Sequence, residues 1–139
     1  MKKKLSRILT VGAAALGAVA FAASPAAAGD VGASVTGAKG SATFTYDGHY
    51  IAPQIYLTLA DTRPDGHHAQ LRVQSVDPSR TVHSYAWHYV YTGADTQQTW
   101  PTSLQDNRGI VALRIQVCVA EGSTILGCDE SSWDGNPNY

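Results

Sequence analysis

The chain has 139 residues, with 10 Lys+Arg, 11 Asp+Glu and 2 Cys, a length that holds one domain. With 44% apolar and 15% charged residues it is too apolar for a disordered chain and too poor in charge for a coiled coil. A net charge of −1 excludes a nucleic-acid binder driven by phosphate neutralisation.

Residues 1–28 read as an export leader. Lys2, Lys3, Lys4 and Arg7 form a basic head, Ile8 to Ala23 is an apolar run, and Ala26, Ala27 and Ala28 supply the small residues of a cleavage site. The run is shorter than the ~20 residues that span a bilayer, and no charged stop follows it. We therefore expect cleavage after Ala28, a product released to the outside and no membrane partner. The remainder keeps Lys39 and five arginines against all 11 acids, a net charge of −5. Such a surface disfavours nucleic acid and phospholipid.

Residues 29–40 (GDVGASVTGAKG) are small and Gly-rich, and read as a flexible lead or a weak first strand, ahead of a domain over 41–139. From there period-2 alternation dominates. Ala42, Phe44 and Tyr46 alternate with Thr43 and Thr45. Ile55, Leu57 and Leu59 alternate with Gln54, Tyr56 and Thr58, and Leu71 and Val73 with Gln70, Arg72 and Gln74. Val111, Leu113, Ile115, Val117 and Val119 form the clearest apolar face, over Ala112, Arg114, Gln116 and Cys118. Turn residues fall between: Tyr46-Asp47-Gly48, Arg63-Pro64-Asp65-Gly66, Asp77-Pro78-Ser79, Thr92-Gly93-Ala94-Asp95, Asn107-Arg108-Gly109 and Glu121-Gly122-Ser123. No stretch outside the leader has helical periodicity. The expected fold is all-β, a small antiparallel β-sandwich, immunoglobulin-like or related, of about seven or eight strands, with a barrel as the rival architecture.

Cys118 and Cys128 are ten positions apart around a Gly-containing turn. If residues 122–124 form the loop, 121 lies opposite 125 and 118 opposite 128. Directly opposed strand residues have Cβ atoms about 4.5–5.5 Å apart, somewhat wider than a disulfide needs, and export supplies the oxidising compartment. The pairing predicts one hairpin disulfide, with no zinc site because the histidines lack the required spacing.

Thr81 to Tyr91 (TVHSYAWHYVY) is the most unusual stretch. Alternation places His83, Tyr85, Trp87, Tyr89 and Tyr91 on one face, and Val82, Ser84, Ala86, His88 and Val90 on the other. Such a row lines a core, meets a protein partner, or stacks on sugar rings, with Trp100 and Trp133 available to extend it. The candidate binding residues are therefore Tyr85, Trp87, Tyr89, Tyr91 and Trp100. Asp61 and Asp65, in a loop with His67 and His68, are weak cation candidates. Turn formation explains the same residues without a ligand. No nucleophile elbow, zincin or phosphate-loop motif occurs, and Asp129 and Glu130 are adjacent and diverge in a strand. We expect no catalytic residues, no cofactor and a monomer. The expected function is an extracellular binding module for a protein or glycan. The alternatives are an inhibitor of secreted proteases or glycosidases, using an exposed loop at 61–68 or 93–103, a carbohydrate-binding domain using the aromatic strand, and a small hydrolase using a His–Asp pair near 61–68.

The Ala-rich leader, Asp61-Thr62-Arg63 with Asp65-Gly66-His67, the strand Arg114 to Cys118 and the closing Trp133 to Asn138 resemble small secreted β-sandwich proteins of high-GC Gram-positive bacteria, a likeness that implies no activity. Locally, Cys118 to Cys128 is similar to the hairpin disulfide of secreted chromophore-carrying apoproteins, which are immunoglobulin-like sandwiches. Those carry two disulfides where this chain can form one.

Overall fold

The computed structural model describes residues 29–91 and 93–139. The expected leader over 1–28, and Thr92 of the expected turn at 92–95, lie outside them. The described residues form ten strands and no helix: β1 (Gly29–Val35), β2 (Ala38–Phe44), β3 (Ile51–Asp61), β4 (His68–Val76), β5 (Val82–Ser84), β6 (His88–Val90), β7 (Thr96–Gln105), β8 (Ala112–Glu121), β9 (Thr124–Glu130) and β10 (Asp134–Gly135). Two antiparallel sheets stack as a sandwich. One runs β1-β2-β3-β7. In the other β4 pairs with β8, β5 and β6 share the outer edge of β4, and β9 and β10 share that of β8. Both outer edges are interrupted strands, which is why ten segments stand where seven or eight were expected.

Residues 29–40 take the second of their two expected forms, a first strand rather than a flexible lead, so the sandwich begins at Gly29 and not at 41. β1 pairs with β2 from Gly29↔Phe44 to Val35↔Ala38, and Gly37, at φ +99°, supplies the second corner of the tight turn between them. Gly40 points inward, where an added Cβ would lie 2.6 Å from Val117 Cγ2 and 2.7 Å from Leu71 Cδ1. The glycine there permits close approach of the two sheets.

The alternating apolar rows meet in the core as expected, except at Val111, which precedes β8 and is only half-buried while Ile110 beside it is fully buried. Phe44, Ile55, Leu57, Leu59, Leu71, Leu113, Ile115 and Val117 are fully buried, and each contributes about 1.5–3 kcal/mol through removal from water. One flank of the sandwich is closed, where β1 packs on β8 and β9 and Ser34 N donates to Asp129 Oδ2 at 3.1 Å. The opposite flank, between β7 and the β5/β6 edge, is the open one.

Cys118 and Cys128 are disulfide-bonded and directly opposed. The turn is shorter than expected: Glu121 faces Thr124 and Ala120 faces Ile125, around Gly122 at φ +58°. A bulge then leaves Leu126 unpaired and Val119 faces Gly127, which restores the 118↔128 register. The expected loop at 93–103 is also corrected, because Thr96 to Gln105 pairs with β3 as β7.

Candidate binding face

The aromatic segment does not keep one face. β4 takes three steps from Gln74 to Leu71 while its edge partner takes four, from Ser84 to His88. The extra residue makes a bulge across Tyr85, Ala86 and Trp87, and side-chain parity flips. Before it, His83 and Tyr85 point between the sheets, where Tyr85 Oη meets Ser75 Oγ at 2.8 Å. After it, Trp87, Tyr89 and Tyr91 point outward and His88 and Val90 inward. Trp100, on β7, packs on His88 at 5.1 Å and on the core. Three of the five expected binding residues therefore share the outer face, and Tyr85 and Trp100 belong to the open flank. Trp133, expected as an extension of the row, joins the outer face.

That face is organised by residues that alternation alone did not single out. Arg72 pairs across to Gln116, and Gln74 to Arg114. Arg72 Nε donates to Gln116 Oε1 at 2.8 Å, and Arg114 Nε to Gln74 Oε1 at 2.8 Å. Each amide nitrogen donates onward, Gln74 Nε2 to Ser84 Oγ and Gln116 Nε2 to Glu130 Oε1. Arg72 stacks over the Trp87 ring at 4.3 Å and Arg114 over the Trp133 ring at 4.4 Å. Ser131 sets the second stack: it bridges Ile115 through its amide and hydroxyl, interrupts the edge, and lets the chain turn Trp133 over β8. Beyond Trp87, Tyr89 stacks on Tyr91 with centroids 5.5 Å apart, and His68 packs on Tyr91 at 4.7 Å. The result is a strip across β6, β4, β8 and the β9/β10 edge, about 15 Å at ~4.8 Å per strand. The sheet beneath is sealed, with His68 8%, Gln70 5% and Gln74 5% exposed.

The open flank holds a cleft of about 250 Å³ lined by Ile55, Leu57, Val73, Tyr85, His88 and Leu104. Burial pushes the His88 ring toward its neutral form, and His88 Nε2 is buried without a partner. Tyr85 is held at the wall by a polar chain. Its hydroxyl donates to Asp106 Oδ2 at 2.6 Å, so the Ser75 hydroxyl donates to it. Asp106 also accepts from Arg108 Nε and Nη2, at 2.8 Å each. Arg108 Nη1 contacts His83 Nδ1 at 2.9 Å, and His83 Nε2 contacts Asp77 Oδ2 at 2.8 Å. Because guanidinium only donates, His83 Nδ1 accepts and the ring proton sits on Nε2, toward Asp77. Arg108 holds the Asp106 carboxyl well below the usual carboxylate range, and His83 with Ser79 does the same for Asp77. Burial and the Asp106 hydrogen bond raise the Tyr85 phenol above its ordinary value.

The weak cation candidates serve the turn. Asp61 Oδ1 accepts from Arg63 N and Asp65 Oδ1 from His67 N, each at 3.1 Å. Among the described residues no three His, Cys, Asp or Glu side chains converge as metal ligands. Comparison with protein-family models, with curated proteins and with solved structures finds no match to this chain.

Proposed function

We propose that the chain is a secreted, monomeric, non-enzymatic binding module that carries its ligand across the outer face of the six-stranded sheet. The observation that carries this reading is the paired stacking of Arg72 on Trp87 and Arg114 on Trp133. Two guanidiniums oriented by glutamines and stacked over a half-buried ring, Trp87, and an exposed one, Trp133, are a pre-organised recognition surface. The leader pattern over 1–28 and a disulfide, which persists in oxidising compartments, support export and hence an extracellular ligand. The resemblance to small secreted β-sandwich proteins of high-GC Gram-positive bacteria accords with this. The test expresses the full chain with its leader and collects the medium. The expected product starts at Gly29, has no alkylatable thiol, and binds on a glycan array or in a pull-down. Trp87→Ala and Trp133→Ala each lose that binding while keeping the thermal midpoint within a few degrees. A product starting at Met1, or full binding by both folded variants, overturns the reading.

A second reading, an inhibitor of secreted hydrolases, draws on the tip Arg63-Pro64-Asp65-Gly66, which is exposed and braced by Asp61 and Asp65. Absence of inhibition across a panel of secreted proteases and glycosidases removes it.

A further inference from the structure

We infer that the ligand of this face is an acidic saccharide, a chain of sugar rings bearing carboxylates on neighbouring units. This inference rests on the binding-face reading above and adds the ligand's charge and class. Among the described residues neither Arg72 nor Arg114 has a carboxylate within 4.0 Å; the one arginine that does is Arg108, on Asp106. Each guanidinium is instead held through Nε by an uncharged glutamine carbonyl. That bond fixes the plane of the fork without neutralising it, and leaves the two Nη nitrogens for a bidentate acceptor. Arg72 lies opposite Gln116 and Arg114 opposite Gln74, so the two arginines are diagonal neighbours, roughly 7 Å apart. The region of chain outside the leader carries a net charge of −5. Yet Glu130 is the carboxylate bound into this strip, and it takes its hydrogen bond from Gln116 rather than from an arginine. A positive strip on an acidic body selects an anionic ligand.

Sugar is favoured over acidic peptide by what lies around the arginines. Protein partners gain most of their affinity from side chains filling pockets, and here the row beneath is sealed by the aromatic and arginine side chains. What the face presents is ring area, with Tyr89 and Tyr91 stacked and outward and Tyr91 66% exposed. A pyranose lays its C–H face on such a ring, while a carboxylate at its rim reaches a guanidinium fork.

The experiment uses the full chain as exported and titrates it calorimetrically with oligogalacturonate, oligoalginate, methyl-esterified oligogalacturonate and poly-glutamate at two salt concentrations. The expected result is binding of at least one of the two uronate oligomers, at least about tenfold weaker for the ester, and weaker in high salt. Arg72→Gln and Arg114→Gln are each expected to weaken it about tenfold, the scale of one charged hydrogen-bonded contact. Arg72→Lys keeps the charge but loses the fork, and is expected to weaken binding as well; Glu130→Gln is expected to strengthen it. Thermal midpoints verify that each variant is folded. Ester binding as tight as that of the acid overturns the charge assignment and leaves the binding face standing. Poly-glutamate binding as tightly as the uronates overturns the saccharide assignment. No binding of either uronate overturns the inference whatever else binds. If, in addition, the glycan-array and pull-down ligands above are retained by Trp87→Ala and Trp133→Ala, the binding-face reading falls with it.

Discussion

Arg108 can only donate, and that single fact orders the side chains around it. It gives one nitrogen to His83 and two to Asp106, and so fixes the proton on His83 Nε2 and the charge on Asp106. Tyr85 then has one hydroxyl proton, which goes to the carboxylate. Ser75, fully buried, has Tyr85 as its acceptor. The consequence is a pH dependence with a definite sign. The folded-state pKa values of Asp77 and Asp106 lie below those of the unfolded chain. Their contribution to stability is therefore complete above the ordinary carboxylate range, near pH 4, and is lost as pH falls through the lower folded values. Thermal midpoints measured between pH 2 and 8 are expected to decline gently below about pH 6.5, where the unfolded chain protonates the His88 that burial keeps neutral, and to fall more steeply below about pH 4. Asp106→Asn is expected to lower the midpoint at neutral pH and to flatten the acid limb. An acid limb as steep in Asp106→Asn as in the parent chain removes the network from the account. Tyr85→Phe is a milder probe: it strips the buried Ser75 hydroxyl of its acceptor and is expected to cost about 1–2 kcal/mol in denaturant titration.

At the scale of the strand, single extra residues decide which face a side chain takes. The β8–β9 hairpin shows this most sharply. Its two-residue turn sets a register in which Cys118 would face Gly127, with Cys128 one position out of phase; unpaired Leu126 absorbs the difference. Deleting Leu126, half-exposed on β9, brings turn and disulfide into phase. The deletion is expected to form the same disulfide and to keep stability within about 1 kcal/mol. Cys118→Ser/Cys128→Ser, by contrast, is expected to lose about 2–3 kcal/mol with its short closed loop. Thiol counting and denaturant titration read both, and loss of the disulfide on deleting Leu126 contradicts the phase argument. The same scale explains what was legible in the sequence. The strands of the core were legible because Phe44, Leu57, Ile115 and Val117 sit at unbroken period-2 spacing, and the disulfide because ten positions suit a hairpin. The bulge at 85–87 was not, because an aromatic or His stands at every odd position from 83 to 91, so nothing in composition marks the flip. Exposed Val82 and buried Val90, both at even positions, carry that signal only once the pairing is known. The Arg72–Gln116 and Arg114–Gln74 pairs were hidden for another reason. Each joins residues about forty positions apart, and a register between distant strands leaves no local trace.

Across the whole molecule, the sheets meet at one flank and part at the other, and glycine sets how closely they meet. The row Ala38, Gly40, Ala42 of β2 is small and buried, which brings β1 and β2 near enough for β1 to reach β8 and β9. Glycine content left a flexible lead and a weak first strand both open for 29–40, because flexibility and close approach have the same composition and differ only in what lies opposite. The two roles separate under substitution. An added Cβ at Gly32 meets only the Gly40 carbonyl oxygen at 3.5 Å, an ordinary contact, whereas at Gly40 it falls inside the radii of Val117 and Leu71 methyls that are themselves fully buried. Gly32→Ala is therefore expected to be neutral, or to stabilise by up to about 1 kcal/mol by restricting the unfolded chain. Gly40→Ala is expected to destabilise by about 1–3 kcal/mol, as overpacking does, because the core methyls have no space to retreat into without lifting β2 off the opposite sheet. Denaturant midpoints of the two variants measure the contrast, and hydrogen exchange locates it. Amides of β1 and β9 should lose protection in Gly40→Ala, while those of β6 and β7, on the already open flank, stay as they were. Equal stability of the two alanine variants would mean that close approach at Gly40 does not set the closure of this flank, which would then rest on the packing of β1 against β8 and β9 and the Ser34–Asp129 contact.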